Sequence, residues 1–225
     1  MKFGCRCTLL LCSLLATSAM AAVSVTPRHL MVLREGLDVL YGSYVFGVFN
    51  TGDKPERFRT PVMLPKETDD FSAQEGVEAG DLTLAPGGGV ILEKEFPPGM
   101  QIVSIGFRTP SRYGRSVLTL TPALAIDSFT LLLPRLSRLQ VSSPKLVVGD
   151  AASAPDPQYE PYINASVLQP GEALKVAVNG LPAGRSQIWI VGAGVAAMLL
   201  FMAGFLAWRT RPKITSDGAA TVLVG

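Results

Sequence analysis

Residues 39–50 read VLYGSYVFGVFN, and this stretch decides the fold. Its second half, YVFGVF at 44–49, consists of aromatic and β-branched side chains around one glycine. Such residues are enriched in strands, and a short, nearly continuous apolar run is typical of a strand buried in a sheet. The run ends at Asn50, where NTGDKP at 50–55 has the composition of a turn. We therefore predict a central β-strand over 39–50.

The sequence on either side repeats this pattern between residues 23 and 187. Clusters of Gly, Pro, Asn and Asp separate short apolar or alternating runs, and no sustained helical period of about 3.6 residues occurs. The pattern predicts an all-β domain over 23–180, an immunoglobulin-like or related β-sandwich. Two smaller β lobes divided near 150–161 are the alternative. The predicted strands lie at 30–33, 39–50, 57–64, 81–84, 90–96, 101–109, 116–121, 128–133, 139–141, 145–148, 163–168 and 174–178. Two polar stretches, 66–80 and 150–161, are predicted to be exposed connections.

Residues 1–22 have the composition of a secretory signal peptide. Lys2 and Arg6 form a basic start, LLLCSLLA at 9–16 forms the apolar segment, and cleavage is expected after Ala21 or Ala22. The alternative is an uncleaved N-terminal anchor. All three cysteines lie at positions 5, 7 and 12, so the mature chain is expected to contain no disulfide.

Residues 188–208 form a second apolar segment, of 21 residues without a charge. As a helix they would extend about 31 Å, which matches the hydrocarbon core of a bilayer. Three basic residues follow at once, and the positive-inside rule then places the C-terminus in the cytoplasm. We predict a single-pass type I protein with a linker over 181–187, a transmembrane helix over 188–208 and a cytoplasmic tail over 209–225. The basic residues are Arg209, Arg211 and Lys213.

The charge of the chain separates along the same boundaries. The formal net charge is +2, but five of the 20 basic residues and one of the 18 acidic residues lie outside 23–187, which leaves −2 for that region. A mildly acidic domain offers no surface for phosphates, so nucleic acid is excluded as a partner.

Few residues in this region suit catalysis or metal binding. His29 is the only histidine, and its position near the mature N-terminus predicts an exposed side chain. With one His and no Cys, zinc sites of the Cys/His type and a Cys–His dyad are excluded. The carboxylates of the stretch 66–80 are interpreted as a solvated acidic loop, with a calcium site as the alternative. We expect no enzyme activity, no cofactor and no metal.

Two residue groups are candidates for binding. Tyr159 and Tyr162 flank Pro161 and are predicted to be an exposed pair that contacts a ligand or partner. Gly192, Ala196 and Gly204 lie near one face of the predicted transmembrane helix, where small residues allow close helix packing and a homodimer.

Several short segments carry a resemblance to a protein class. They are the apolar strand before Asn50, PVMLP at 61–65, Pro98-Gly99 and Gly180-Leu181-Pro182. In this order the chain resembles bacterial type I single-pass envelope proteins, which have a signal peptide, an exported β-sandwich and one C-terminal helix. The resemblance implies no catalytic residues and no activity.

These observations predict a non-enzymatic protein of the bacterial inner membrane with a periplasmic domain. Only residues 179–187 separate the last predicted strand from the predicted span, and nine residues reach at most about 30 Å. The domain is therefore expected at the membrane surface, where it binds a protein partner. The alternative is a module that binds or senses a ligand, namely a sugar, a peptidoglycan fragment or calcium.

Overall fold

The computed structural model describes residues 22–86, 89–150, 152, 154–182 and 197–202. The strands within these residues confirm the all-β prediction. They are β1 (Val23–Glu35), β2 (Val39–Asn50), β3 (Glu56–Val62), β4 (Asp70–Ala73), β5 (Leu82–Leu84), β6 (Val90–Phe96), β7 (Gly99–Pro110), β8 (Arg115–Leu120), β9 (Ser128–Pro134), β10 (Gln140–Ser142), β11 (Leu146–Val148), β12 (Tyr159–Asn164) and β13 (Leu174–Asn179). A short 3₁₀ helix, Ala79–Asp81, lies between β4 and β5.

The largest sheet has seven strands in the order β11-β12-β9-β1-β2-β7-β4. β1 and β9 run parallel, and the other neighbouring strands run antiparallel. β2 lies between β1 and β7, and its register with β7 continues from Val39 opposite Pro110 to Asn50 opposite Gly99. The strand predicted over 39–50 thus matches β2 residue for residue.

Two three-stranded sheets, β10-β13-β8 and β3-β6-β5, complete the fold. Apolar side chains from all three sheets belong to one hydrophobic core. Met31 of β1, Leu92 of β6 and Leu118 of β8 are each 0% exposed. Burial of these side chains is the main favourable term that holds the three sheets together.

Alternation along β1 separates the two faces of the seven-stranded sheet. Met31 and Leu33 are fully buried in the core, whereas Leu30 and Val32 are half-buried and Arg34 is exposed. Since successive side chains of a strand point to opposite faces, the second group lies on the face away from the core. We call this the outer face, and it carries the candidate site.

A bulge near the start of β1 leaves the core-facing alternation unchanged, because Val25 and His29 are an even number of residues apart and both face the core. The register of β1 against β2 shifts between Val25 and His29. Pro27 lies in the shifted stretch, where its missing N–H costs no ladder hydrogen bond. The Thr26 hydroxyl accepts a hydrogen bond from the Gly47 amide at 3.2 Å, and the Pro27 carbonyl accepts one from the Asp127 amide at 3.0 Å.

The stretch 66–80 is more ordered than predicted. Asp70–Ala73 forms β4 and pairs with β7, so the prediction of one long surface loop is wrong there. The backbone of Lys66 also donates to the carbonyl of Thr119 at 3.0 Å. Polar residues on the outer side of an edge strand produced the loop-like composition.

The stretch 150–161 ends in a strand rather than a connection. Its last residues, from Tyr159 onward, belong to β12, which lies between β11 and β9. The strands that follow residue 158 pair with strands that precede residue 150, since β12 pairs with β9 and β13 pairs with β8. The two halves therefore share sheets.

The predicted membrane segments fall largely outside the described residues. Of the signal peptide 1–22 only Ala22 is described, and the tail 209–225 lies outside altogether. Among the described residues, no helix has the length and apolar character needed to cross a membrane. Of the predicted span 188–208, residues 197–202 are described, and they are helical and exposed. The packing residues Gly192, Ala196 and Gly204 lie outside the described residues.

Candidate functional site

A cleft of about 490 Å³ lies on the outer face of the seven-stranded sheet. Its floor crosses β9, β1, β2, β7 and β4, and Tyr159 of β12 with Pro155 and Asp156 closes one end. This volume is within the usual range for sites that bind small molecules, about 300–1,000 Å³. We call it the outer cleft.

The centre of the outer cleft combines an aliphatic floor with a polar cluster. Leu30, Val32 and Leu132 provide the aliphatic part. Beside them, the Gln74 carboxamide oxygen accepts hydrogen bonds from the hydroxyls of Ser43 at 2.6 Å and Ser104 at 2.8 Å. With the oxygen held this way, the amide nitrogen of Gln74 is the donor left for a bound molecule.

Gly106 is needed where Gln74 crosses the sheet. A Cβ on Gly106 would lie 2.6 Å from the Gln74 amide nitrogen and 2.6 Å from the Ser72 hydroxyl. The missing side chain therefore leaves the space in which the Gln74 carboxamide rests. Because Gly106 of β7 has no side chain, the polar cluster fits at the centre of the outer cleft.

One end of the outer cleft presents a cation and a phenol. An Arg34 guanidinium nitrogen lies 3.5 Å from the Tyr159 hydroxyl, and both groups line the cleft. Among the described residues, no carboxylate forms an ion pair with Arg34. One Asp156 carboxylate oxygen is occupied by the Gln158 amide at 2.8 Å. Arg34 is thus the cation of the cleft that is available to an anionic group.

The opposite end of the outer cleft holds one arginine and two carboxylates. Arg108 binds the Asp69 carboxylate through two hydrogen bonds, at 3.0 and 3.2 Å. The hydrogen bonds that Arg108 donates to Asp69, followed by the charge of Asp69, raise the pKa of the Arg108 guanidinium. Asp70 lies beside this pair in the cleft lining. A ligand would therefore meet an ion-paired arginine and the Asp70 carboxylate here, whereas Arg34 at the Tyr159 end has no ion pair among the described residues.

The two predicted contact tyrosines do not form an exposed pair, whereas contact of either one with a ligand or partner stays a prediction. Tyr159 and Tyr162 both lie in β12 and are three residues apart, so they point to opposite faces of the sheet. Tyr159 lines the outer cleft, whereas Tyr162 packs against the core and donates a hydrogen bond to Glu160 at 2.8 Å. Burial, followed by that hydrogen bond, raises the pKa of Tyr162 to about 12.

His29 is buried, which corrects the prediction of an exposed side chain. It is 8% exposed and accepts a hydrogen bond at Nδ1 from the Tyr44 hydroxyl. Its ring also stacks on Phe46 with the ring centroids 5.9 Å apart. Burial lowers the pKa of His29 to about 4, and burial raises the pKa of Tyr44. His29 is therefore a core residue whose imidazole is neutral near pH 7.

The carboxylates of the stretch 66–80 and of Asp81 are separated by their structural roles. Glu67 accepts from the Thr119 amide at 2.8 Å and from the Thr119 hydroxyl at 2.7 Å. Asp81 accepts from the Glu78 amide at 2.9 Å and lies 3.5 Å from the Lys94 ammonium. Within the described part of the chain, no three His, Cys, Asp or Glu side chains are placed to hold a metal ion.

The residues that form the outer cleft carry only a weak signal in the sequence. Arg34 and Ser43, which line the cleft, and Ser104, which supports Ser43 and Gln74 from below, are polar residues at alternate positions of strands whose other face is apolar. Alternation of this kind assigns them to a solvent-facing side but does not place them together. Gln74 follows β4, a strand that the composition did not indicate.

Comparisons with known proteins add no family. No protein-family model matches the sequence, and no curated protein matches it. A protein from Legionella pneumophila, described as a candidate nutrient-binding protein, is 10% identical with a TM-score of 0.45, over 70% of this chain and 67% of its own. Leukotriene A4 hydrolase from Saccharomyces cerevisiae is 13% identical with a TM-score of 0.44, over 69% of this chain and 29% of its own.

A third solved structure is an M1 zinc metallopeptidase from Deinococcus radiodurans. It is 12% identical with a TM-score of 0.36, over 70% of this chain and 42% of its own. The chain thus spans less than half the length of both hydrolase chains. These likenesses assign neither an activity nor a ligand.

Proposed function

We propose that the protein is a non-enzymatic, membrane-anchored binding module whose outer cleft takes a small polar ligand with an anionic group. The observation that carries this proposal is the cleft itself, which combines Arg34 and Tyr159 at one end with the Ser43, Gln74 and Ser104 cluster at its centre. A lined cleft favours a ligand over a flat protein contact. The function inferred first from the sequence, a protein partner, becomes the second candidate.

The fold and the location belong to the same proposal. A β-sandwich, immunoglobulin-like or related, is supported by the single core that all three sheets share. The anchor is the span 188–208, and its described part, residues 197–202, exposes large apolar side chains: Met198, Leu199, Leu200, Phe201 and Met202. With the basic tail inside, the domain lies in the periplasm of the inner membrane.

The chemistry of the cleft favours a ligand with carboxylates, amides and hydroxyls. Arg34 can bind a carboxylate through paired N–H groups, and the Tyr159 hydroxyl can join it. The free amide nitrogen of Gln74 suits a carbonyl, and the aliphatic floor suits methyl or ring carbons. Peptidoglycan fragments combine all of these groups and occur in the proposed compartment. Calcium has no comparable support, because the described residues offer no group of metal ligands.

The test is calorimetric titration of a soluble muropeptide, a disaccharide with its peptide stem, into the full chain in mild detergent. We expect Arg34→Gln to weaken binding about tenfold or more, because charge-assisted hydrogen bonds contribute about 1.5–3 kcal/mol and tenfold corresponds to about 1.4 kcal/mol. Arg59→Gln is the matched control, since Arg59 is 65% exposed on β3. Equal binding by the two variants would contradict the proposed site, and cleavage of the muropeptide would contradict a non-enzymatic role.

A protein partner is the second candidate, and the edge strand β11 favours it. Val147 and Val148 are 49% and 63% exposed, at one edge of the seven-stranded sheet. Edge strands present unpaired backbone groups that an extended segment of another protein can pair with. The Gly149 amide bonds to the Pro161 carbonyl on the β12 side, so alternation directs the Val148 amide to the open side.

Co-purification from mild detergent tests this second candidate. Val148→Pro removes a donor from the open edge and leaves the ladder with β12 in place, so we expect it to release a partner that binds there. Val148→Ala keeps the N–H and is the control. A protein that always purifies alone, or a partner retained by Val148→Pro, counts against pairing at β11.

A further inference from the structure

Three exposed apolar side chains lie at loop tips of this fold. Leu37 is 69% exposed in the β1–β2 turn, Tyr113 is 77% exposed in the β7–β8 turn, and Leu136 is 101% exposed in the β9–β10 connection. Single exposed apolar residues are common and need no explanation. These three are unusual because backbone contacts bring their loops to one place.

The place at which the loops meet is the segment 180–182. The Asp38 amide donates to the Pro182 carbonyl at 3.2 Å, and the Leu181 amide donates to the Gly114 carbonyl at 3.0 Å. Gly180 has a φ of +87°, and a Cβ there would lie 2.1 Å from the Arg138 carbonyl oxygen. All three loops therefore contact the segment through which the chain continues toward the predicted span.

The turn that carries Tyr113 is a tight two-residue hairpin turn with an exposed tyrosine. The Arg112 and Arg115 backbones exchange two hydrogen bonds, at 2.8 and 3.1 Å, around the two-residue loop Tyr113-Gly114. Tyr113 has a φ of +54° and Gly114 a φ of +73°, as a type I′ turn requires. Asn or Asp is the favoured residue at the first position, and a bulky residue with positive φ is strained. The backbone of this turn thus places the Tyr113 side chain at the surface.

Leu136 is likewise held away from the core by its connection. The Ser137 amide donates to the Pro134 carbonyl at 3.0 Å, and the Ser137 hydroxyl donates to the same oxygen at 2.7 Å. These two bonds close a turn over Pro134–Arg135–Leu136–Ser137. Leu139, three residues on, is buried in the core, so the connection separates an inward leucine from an outward one.

Exposed arginines surround these apolar tips. Arg112 and Arg115 flank the Tyr113 turn, and Arg135 and Arg138 flank Leu136. On the same loops, Glu35 and Asp38 are the acidic residues. Positive side chains around exposed Leu and Tyr suit the interface of an anionic bilayer, where Tyr favours the headgroup level and each cation adds attraction.

We infer that Leu37, Tyr113 and Leu136, with the four arginines beside them, form a membrane-contact face that rests on the outer surface of the bilayer. This inference builds on the proposed anchor, because only residues 183–187 separate Pro182 from the predicted span. Five residues reach at most about 18 Å, so the bilayer is the surface nearest to these tips. The membrane-contact face orients the domain on the bilayer. The Arg135 guanidinium belongs to this face and donates to the Tyr159 carbonyl at 3.2 Å, so the face lies next to the Arg34 end of the outer cleft.

Site-specific fluorescence quenching in vesicles tests the inference on the full chain. The cysteines at 5, 7 and 12 are replaced by alanine, and single cysteines that carry an environment-sensitive fluorophore are introduced as Leu37→Cys, Leu136→Cys or Leu124→Cys. Leu124 is the matched control, because it is 49% exposed and follows the end of β8 opposite the Tyr113 turn. In vesicles of phosphatidylcholine and phosphatidylglycerol with nitroxide headgroups, we expect quenching about twofold or more stronger at 37 and 136 than at 124.

A charge variant tests the role of the arginines. Phosphatidylcholine alone should reduce quenching at 136, and so should Arg135→Gln combined with Arg138→Gln. Arg57→Gln combined with Arg59→Gln, on exposed positions of β3, should leave quenching unchanged. Equal quenching in both lipid mixtures, or an equal effect of the two double variants, would overturn the electrostatic part of the inference.

A probe in the helix separates failure of the face from failure of the anchor. Leu199→Cys should be quenched by nitroxides on the acyl chains if the span 188–208 crosses the bilayer. Quenching at 199 with equal quenching at 37, 136 and 124 would overturn the membrane-contact face and leave the anchor standing. No quenching at 199 would overturn the anchor itself. Cross-links from 37 and 136 to another protein in cells, without quenching by lipid, would assign the face to a protein.

Discussion

His29 makes the stability of the core depend on pH. Its Nδ1 accepts a hydrogen bond from Tyr44, and burial lowers its pKa from 6.5 to about 4, with a hydrogen bond to the Thr26 backbone acting in the opposite direction. Between these two values the unfolded chain binds a proton that the folded chain does not. We predict that His29 does not lower the free energy of unfolding above pH 6.5. As the pH falls from there to about 4, it should remove about 3 kcal/mol from the free energy of unfolding.

Urea unfolding of the full chain in detergent, between about pH 7 and pH 4, measures this effect. His29→Gln keeps an acceptor for the Tyr44 hydroxyl but cannot titrate, so its free energy of unfolding should fall less steeply than that of the parent protein. Carboxylates titrate in both proteins and cancel in the difference. Parallel pH profiles for the two proteins would show that His29 is not held neutral in the core.

Single residues were the hardest level to predict from the sequence. Position near the mature N-terminus indicated an exposed His29, but β1 begins at Val23, before the predicted start at residue 30, and His29 alternates in phase with Met31 and Leu33 toward the core. Tyr159 and Tyr162 were interpreted as a loop pair, whereas β12 sends them to opposite faces. In both cases the extent of a strand, which pairing with distant strands decides, set the direction of a side chain, and the local sequence does not contain that pairing.

At the scale of elements, Glu67 contributes more than the other carboxylates to holding the stretch 66–80 against β8. Glu67 accepts two hydrogen bonds from Thr119 of β8, while Asp69 pairs with Arg108 where both side chains are 41% exposed. We predict that Glu67→Ala lowers the free energy of unfolding by about 2 kcal/mol, because it leaves a β8 amide and hydroxyl without their acceptor. Asp69→Ala should cost clearly less than Glu67→Ala, because exposed ion pairs contribute little to stability.

Chemical denaturation of both variants compares these two costs. Thr119→Val is a further check, since it removes the hydroxyl but keeps the amide that Glu67 binds. Its effect should fall between those of Asp69→Ala and Glu67→Ala. Equal losses for Glu67→Ala and Asp69→Ala would mean that the contact with β8 does not hold this stretch in place.

Strands with a strong apolar signal were predicted well, and those that tertiary pairing creates were not. The predictions for β2 and β6 match residue for residue, because a buried run and its flanking turns define both ends. β4 has polar residues and is a strand only because it pairs with β7. β12 begins inside the stretch 150–161, whose composition indicated an exposed connection, so the predicted strand at 163–168 overlaps only the last two residues of β12.

The described part of the chain combines a cleft on one sheet face with basic and apolar loop tips around residues 180–182. The all-β class followed from the pattern of short runs, whereas the outer cleft did not, since it is assembled from strands that are distant in sequence. The arginines of the membrane-contact face are also dispersed along the chain. The net charge of −2 over residues 23–187 therefore does not show that the arginines cluster on the membrane-contact face.

The central claim is that the folded domain, with its outer cleft, lies outside the cytoplasm on a single span. Labelling of intact spheroplasts with a membrane-impermeant maleimide tests it most directly, in the full chain with residues 5, 7 and 12 changed to alanine. We predict that Lys54→Cys, exposed in the domain, is labelled without permeabilisation, and that Ser216→Cys in the tail is labelled only after detergent is added. Labelling of Ser216→Cys in intact spheroplasts, with Lys54→Cys protected until lysis, would contradict the claim.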